Sequence, residues 1–143
     1  MQLVHVKFVV LIFIIIITKN GFSQTIDWEK ASHWKFYDTR GKKPLRYSVD
    51  SLYHFNTIDL NDDTLRYFLH AVELWPPEEY SMWMGGFAVS YVDEKGILRK
   101  LDISDYGGFF FDEFSKRYYQ IREDIRNYWL KYFHNLNSQF QNQ

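Results

Sequence analysis

Apolar positions repeat with two different periods along this chain, and the changes of period mark its elements. Over residues 83–92, Trp83, Phe87, Val89 and Tyr91 fall on one side while Gly86, Ala88 and Ser90 fall on the other, as in a half-buried strand. Asp93-Glu94-Lys95-Gly96 then predicts a hairpin turn, since glycine takes positive φ without steric cost. Residues 97–103 return, with Ile97, Leu101 and Ile103 on one side and Lys100 and Asp102 on the other. Gly107-Gly108 leads into Phe109-Phe110-Phe111, residues 112–116 turn, and residues 117–120 pair back. Together these segments predict an antiparallel meander of about four strands.

The helical period appears on either side of that meander. Asn61-Asp62-Asp63-Thr64 places short polar acceptors ahead of Leu65, Phe68, Leu69 and Val72, which marks a helix start. Pro76-Pro77 ends that element, because neither ring nitrogen can donate a hydrogen bond. Ile121, Ile125, Tyr128, Trp129, Tyr132 and Leu136 predict one buried stripe of a C-terminal helix. Its acids Glu123 and Asp124 come early and Lys131 and His134 come late, the sense the helix dipole favours. Trp34 and Phe36 alternate with Lys35 and Tyr37 as a strand, and Asp27 begins a short helical turn. Val49, Leu52 and Phe55 fit a short helix after Ser48, residues 57–60 are extended, and residues 71–75 fit either helix or strand. The fold expected is α+β: the meander packed against two or three helices, including the C-terminal one.

The first 23 residues have a different character. Residues 8–17 are uninterrupted apolar residues, and ten residues of helix span about 15 Å of a hydrocarbon layer about 30 Å thick. Lys7 precedes the run, and Gly21-Phe22-Ser23 offers small side chains at the two positions a signal peptidase pocket must admit. A signal peptide cleaved after Ser23 is the expectation, with release into a periplasmic or extracellular space; an uncleaved membrane anchor is the alternative. Residues 24–143 then form a single domain, since no linker or low-complexity tract divides them.

Composition narrows the partners. Removing Lys7 and Lys19 from the chain's 17 basic residues leaves 15 against 18 acidic ones. With that acidic balance and no basic run beyond Lys42-Lys43, nucleic acid is not an expected partner, nor is a stable membrane span after cleavage. The chain has no cysteine, so packing alone must hold it together. All 5 tryptophans and 11 tyrosines lie in the mature part, an aromatic load incompatible with a disordered chain.

Recognisable chemistry is sparse. His33, His54, His70 and His134 lack the spacing of a helical zinc pair. Asp59-x-Asn61-x-Asp63 has the spacing that opens an EF-hand loop, but Thr64 and His70 stand where that loop needs glycine and glutamate. No phosphate-cradling glycine loop or nucleophile elbow occurs, so no cofactor or metal is expected. Asp93, Glu94, Asp102, Asp105, Asp112 and Glu113 crowd the strand region and read mainly as solvated turn acids, though two of them could face each other as a hydrolytic pair. Three successive phenylalanines put rings on both faces of a strand. Phe110, with Tyr118 on the next strand and with Trp83 and Tyr106, is therefore a candidate for partner contact. The expected function is an exported, non-enzymatic domain that binds another protein, as an inhibitor, immunity-type or accessory factor. A carbohydrate-binding module using exposed rings and a small hydrolase with paired carboxylates are the alternatives.

Overall fold

The computed structural model describes residues 27–42, 47–75, 86–106 and 108–142. The leader with its cleavage site, Pro76-Pro77 and Trp83 lie outside the described residues.

The meander forms in register. Strands β4 (Phe87–Val92), β5 (Leu98–Ile103), β6 (Phe109–Asp112) and β7 (Arg117–Ile121) pair antiparallel in succession. Gly96 takes φ 76° in the first turn, where Asp93 Oδ1 accepts from Lys95 N and Ile97 N at 2.9 Å each. Gly108 takes φ 69° in the turn before β6, and a Cβ there would lie 2.5 Å from Arg126 Cγ, so the position admits only glycine without displacement.

Three further strands extend the meander to a seven-stranded sheet of order β2-β1-β4-β5-β6-β7-β3. β1 (Ser32–Tyr37) pairs with β4, β2 (Thr57–Asp59) adds beyond β1, and β3 (Val72–Leu74) adds beyond β7. The four-strand expectation is therefore too small. β2 and β3 are edge strands of three residues each, too short for alternation to declare itself. Helix α1 (Asp62–Leu69) carries the chain from one edge of the sheet to the other.

Alternation divides the sheet into two faces. The first carries Phe36, Phe87, Val89, Tyr91, Leu101, Ile103, Phe110 and Ile121, all buried beneath α1 and the C-terminal helix α2 (Glu123–Gln139). Asn61 caps α1 by accepting from Thr64 N at 2.9 Å, and Leu65, Phe68 and Leu69 form its buried side. The buried stripe of α2 is Ile125, Trp129, Phe133 and Leu136. Tyr128, expected on that stripe, is 67% exposed, because the steps of four from Ile125 through Trp129 run to Phe133 and leave Tyr128 round the side. Phe133 meets Phe36 at 5.7 Å and Phe87 at 6.3 Å, and Trp129 meets Phe110 at 5.7 Å, so the aromatic load is largely core.

The second face carries Tyr37, Ala88, Ser90, Lys100 and Asp102, with Phe109, Phe111 and Tyr118 further across. Its cover at the β1–β4–β5 side is a short 3-10 turn, Val49–His54, whose Leu52 is fully buried against Tyr37 and Ala88. Tyr47, Val49 and Phe55 pack around it.

Candidate functional site

Lys100 and Asp102 stand two residues apart on β5, so the pleat points both to the second face. The sequence pattern of an apolar side (Leu101, Ile103) opposite a charged side reads as a solvated strand face. Here both charged side chains are only 1% exposed, and the segment that leads into the turn Val49–His54 meets Lys100 through the Tyr47 carbonyl. Asp102 and Asp112 are thus buried rather than solvated acids.

One ammonium organises the cluster. Lys100 Nζ lies 3.2 Å from Asp102 Oδ1 and 3.5 Å from Glu113 Oε2, and it donates to the Tyr47 carbonyl of the cover. The approach to Asp102 is off the hydrogen-bonding direction, so charge rather than a directed bond joins the two, and neither Asp102 oxygen receives a hydrogen bond among the described residues. Burial pushes the Asp102 carboxyl up to about 7; Lys100 opposes the rise and Glu113 adds to it. Asp112 is raised by burial as well, on the other face, where it accepts from Tyr91 Oη at 3.3 Å and from Ser115 N at 2.6 Å. Those bonds fix the β6–β7 turn that presents Glu113 and Phe114.

A cleft of about 320 Å³ opens beside this cluster. Val49, Leu98 and Phe114 form its apolar walls, and Arg99, Lys100, Lys116 and Glu113 supply its charges. The β4–β5 and β6–β7 turns meet at this end of the sheet, which brings Leu98 (41% exposed) and Phe114 (36% exposed) to the surface together. Arg99 sits 3.6 Å over the Phe114 ring and is paired with Asp93 at 3.0 Å. The result is an open apolar patch with charge around it.

The predicted contact residues are not brought together. Phe110 is fully buried, stacked on Tyr119 at 5.2 Å and wedged against Trp28 and Trp129, so no partner reaches its ring. Its register partners Ile103 and Tyr119 put it on the first face, whereas Tyr118 pairs with Phe111 on the second. Phe110 and Tyr118 are therefore on opposite sides of the sheet. The Tyr118 ring is half-buried between Phe111 and Trp75, at 4.8 and 6.1 Å. Tyr106 is 59% exposed in the β5–β6 connection, at the far end of the sheet from the cleft.

Two other hollows mix charges without convergence. One of about 190 Å³ lies between Arg66, His70 and Glu29, and one of about 360 Å³ between His33, Lys35, Asp59 and Asp62. Among the described residues no three histidine, aspartate or glutamate side chains gather as a metal site, and no helix is long and apolar enough to cross a membrane. Comparison of the chain with known proteins gives no match to a family model, to a curated protein or to a solved structure.

Proposed function

We propose that this protein is an exported, non-enzymatic domain that binds another protein, as an inhibitor, immunity-type or accessory factor, through the cleft end of its meander. The observation that carries the reading is the pairing of exposed Leu98 and Phe114 with Arg99, Lys116 and Glu113 around them. Protein interfaces combine apolar anchors at the centre with a polar, charged rim, and an aromatic ring backed by arginine is a frequent anchor. Export rests on the short apolar run of residues 8–17.

The hydrolase alternative draws support from the raised Asp102 beside Glu113. Against it, both Asp102 oxygens are out of contact with solvent, so a substrate has no route to them in this conformation. The carbohydrate alternative calls for a planar row of open rings. The most exposed rings among the described residues, Tyr53, Tyr67, Tyr106 and Tyr128, belong to four separate elements.

The test is affinity capture with the mature protein from its native host's extracytoplasmic fraction, run beside Phe114→Ala and Leu98→Ala. One protein retained by the wild type and lost from both variants is the expected result. Equal capture by the variants, or retention of polysaccharide alone, overturns the reading.

A further inference from the structure

Among the described residues, the cover of the second face is tied to the sheet at a cluster of one lysine and two acids. Lys100 Nζ holds the Tyr47 carbonyl while facing two carboxylates, Asp102 on its own strand and Glu113 on the β6–β7 turn. Among the described residues, the remaining groups around Asp102 do not balance them. Opposite it on β4 is Ala88, and on β6 Phe111. The Ser90 and Tyr37 hydroxyls bond each other at 2.9 Å. Asp50 and His54 of the cover are exposed, and Lys116 acts on Asp102 only through its charge from an exposed position on the turn. With both acids ionised, the described side chains of the cluster carry one negative charge in excess, and the Asp102 carboxylate is out of contact with solvent. Water relieves such a charge, and water enters when the cover lifts.

We propose that the Lys100–Asp102–Glu113 cluster is a pH-responsive latch: a proton on Asp102 keeps residues 47–55 closed on the sheet, and its loss lets them open. Closed, the Asp102 carboxyl titrates at about 7; opened to water, it returns towards its ordinary 3.8. Opening therefore releases a proton and is favoured as pH rises. Between pH 6 and pH 8 the opening equilibrium grows about tenfold. Val49 belongs both to the cover and to the cleft wall, so the latch also reshapes the proposed partner surface. That last consequence rests on the partner-binding reading; the latch itself does not.

Hydrogen exchange on the purified protein at pH 6, 7 and 8, corrected for intrinsic rates, reads the latch without any partner. The reporters are the amides of Ser51, Phe55 and Asp38, which donate to Ser48 O, Leu52 O and Asn56 O. Their protection is expected to fall about tenfold from pH 6 to pH 8, beyond any change in the amides of α2. Asp102→Asn should hold the pH 6 protection at pH 8. Glu113→Gln, which keeps Asp102, should move the transition to lower pH. Flat protection in the wild type, a fall shared equally by α2, or an unchanged pH dependence in Asp102→Asn overturns the latch. Those results leave the partner surface standing, whereas an intact latch with unaltered capture by Phe114→Ala overturns the surface alone.

Discussion

The first face of the sheet buries Trp34, Phe36, Tyr91, Phe110 and Trp129 under two helices, and ring meets ring over most of it. The second face buries Lys100, Asp102 and Ser90, and the cover among the described residues is a 3-10 turn with its flanks. Packed rings need only shape and contact, so the first face satisfies itself wherever the helices reach. Buried charges need directed partners, and the cover supplies Lys100 with a carbonyl while neither Asp102 oxygen receives a hydrogen bond among the described residues. The difference places stability on the helix side and response to conditions on the other.

The largest effect should come from the helix side. Trp129 is fully buried between Phe68, Phe110 and Phe133, and Trp129→Ala should cost about 3–5 kcal/mol. Leu52→Ala removes the one fully buried aliphatic side chain of the cover and should cost less, about 2–3 kcal/mol. Urea unfolding monitored by tryptophan fluorescence gives both values. If Leu52→Ala proves the costlier, the second face is as much a foundation as the first, and the contrast between them fails.

A change of pH should act next, through the second face. An acid whose folded pKa is raised binds its proton more tightly in the folded chain, so stability is highest while it is protonated and is lost as pH rises from its unfolded value to its folded one. For Asp102 that window runs from 3.8 to about 7. Unfolding free energies at pH 5 and pH 8 should then differ by about 2–3 kcal/mol in favour of pH 5 from this residue. Asp112, also raised by burial, adds with the same sign, so Asp102→Asn should remove a share of the slope rather than all of it. Asp38 and Asp124, held low by bonds from Arg40 and Arg122, act in the opposite sense at more acid pH. A protein more stable at pH 8 than at pH 5 would contradict the charge excess assigned to the cluster.

The contrast also explains what could be read in advance. The meander, α1 and α2 declare themselves because each repeats its period several times against one apolar side. β3 does not, since Val72–Leu74 follows directly on a helix with the same apolar residues. Phe110 is core although its sequence context leaves its face open, because three consecutive phenylalanines fit either phase of a strand. Only pairing with Ile103 and Tyr119 fixes the phase, and register is not a local property. The cluster is hidden for a related reason: Lys100-x-Asp102 alternates as an exposed face would, and what buries it includes Tyr47, 53 residues away in sequence. The signal that could have found it is the apolar triplet Val49, Leu52 and Phe55, which had to rest on some surface the helices did not use.

The smallest expected effect bears on the surface where the two faces' turns meet. Phe114 and Leu98 stay partly in water in the folded chain, so truncating them forfeits little burial, and Phe114→Ala should shift stability by no more than about 0.5–1 kcal/mol, mostly through the lost arginine contact. Arg99 keeps its pairing with Asp93 in that variant, which limits the disturbance of the hairpin. If Phe114 contributes that little to folding, the proposed partner surface supplies a reason for an exposed ring beside charge. Unfolding curves that superimpose for wild type and Phe114→Ala, alongside loss of capture, would separate binding from stability at this position. A loss well above 1 kcal/mol would instead make Phe114 part of the second face's own cover, closing over Lys100 as Leu52 does over Tyr37, and the cleft would then be a seam in the fold.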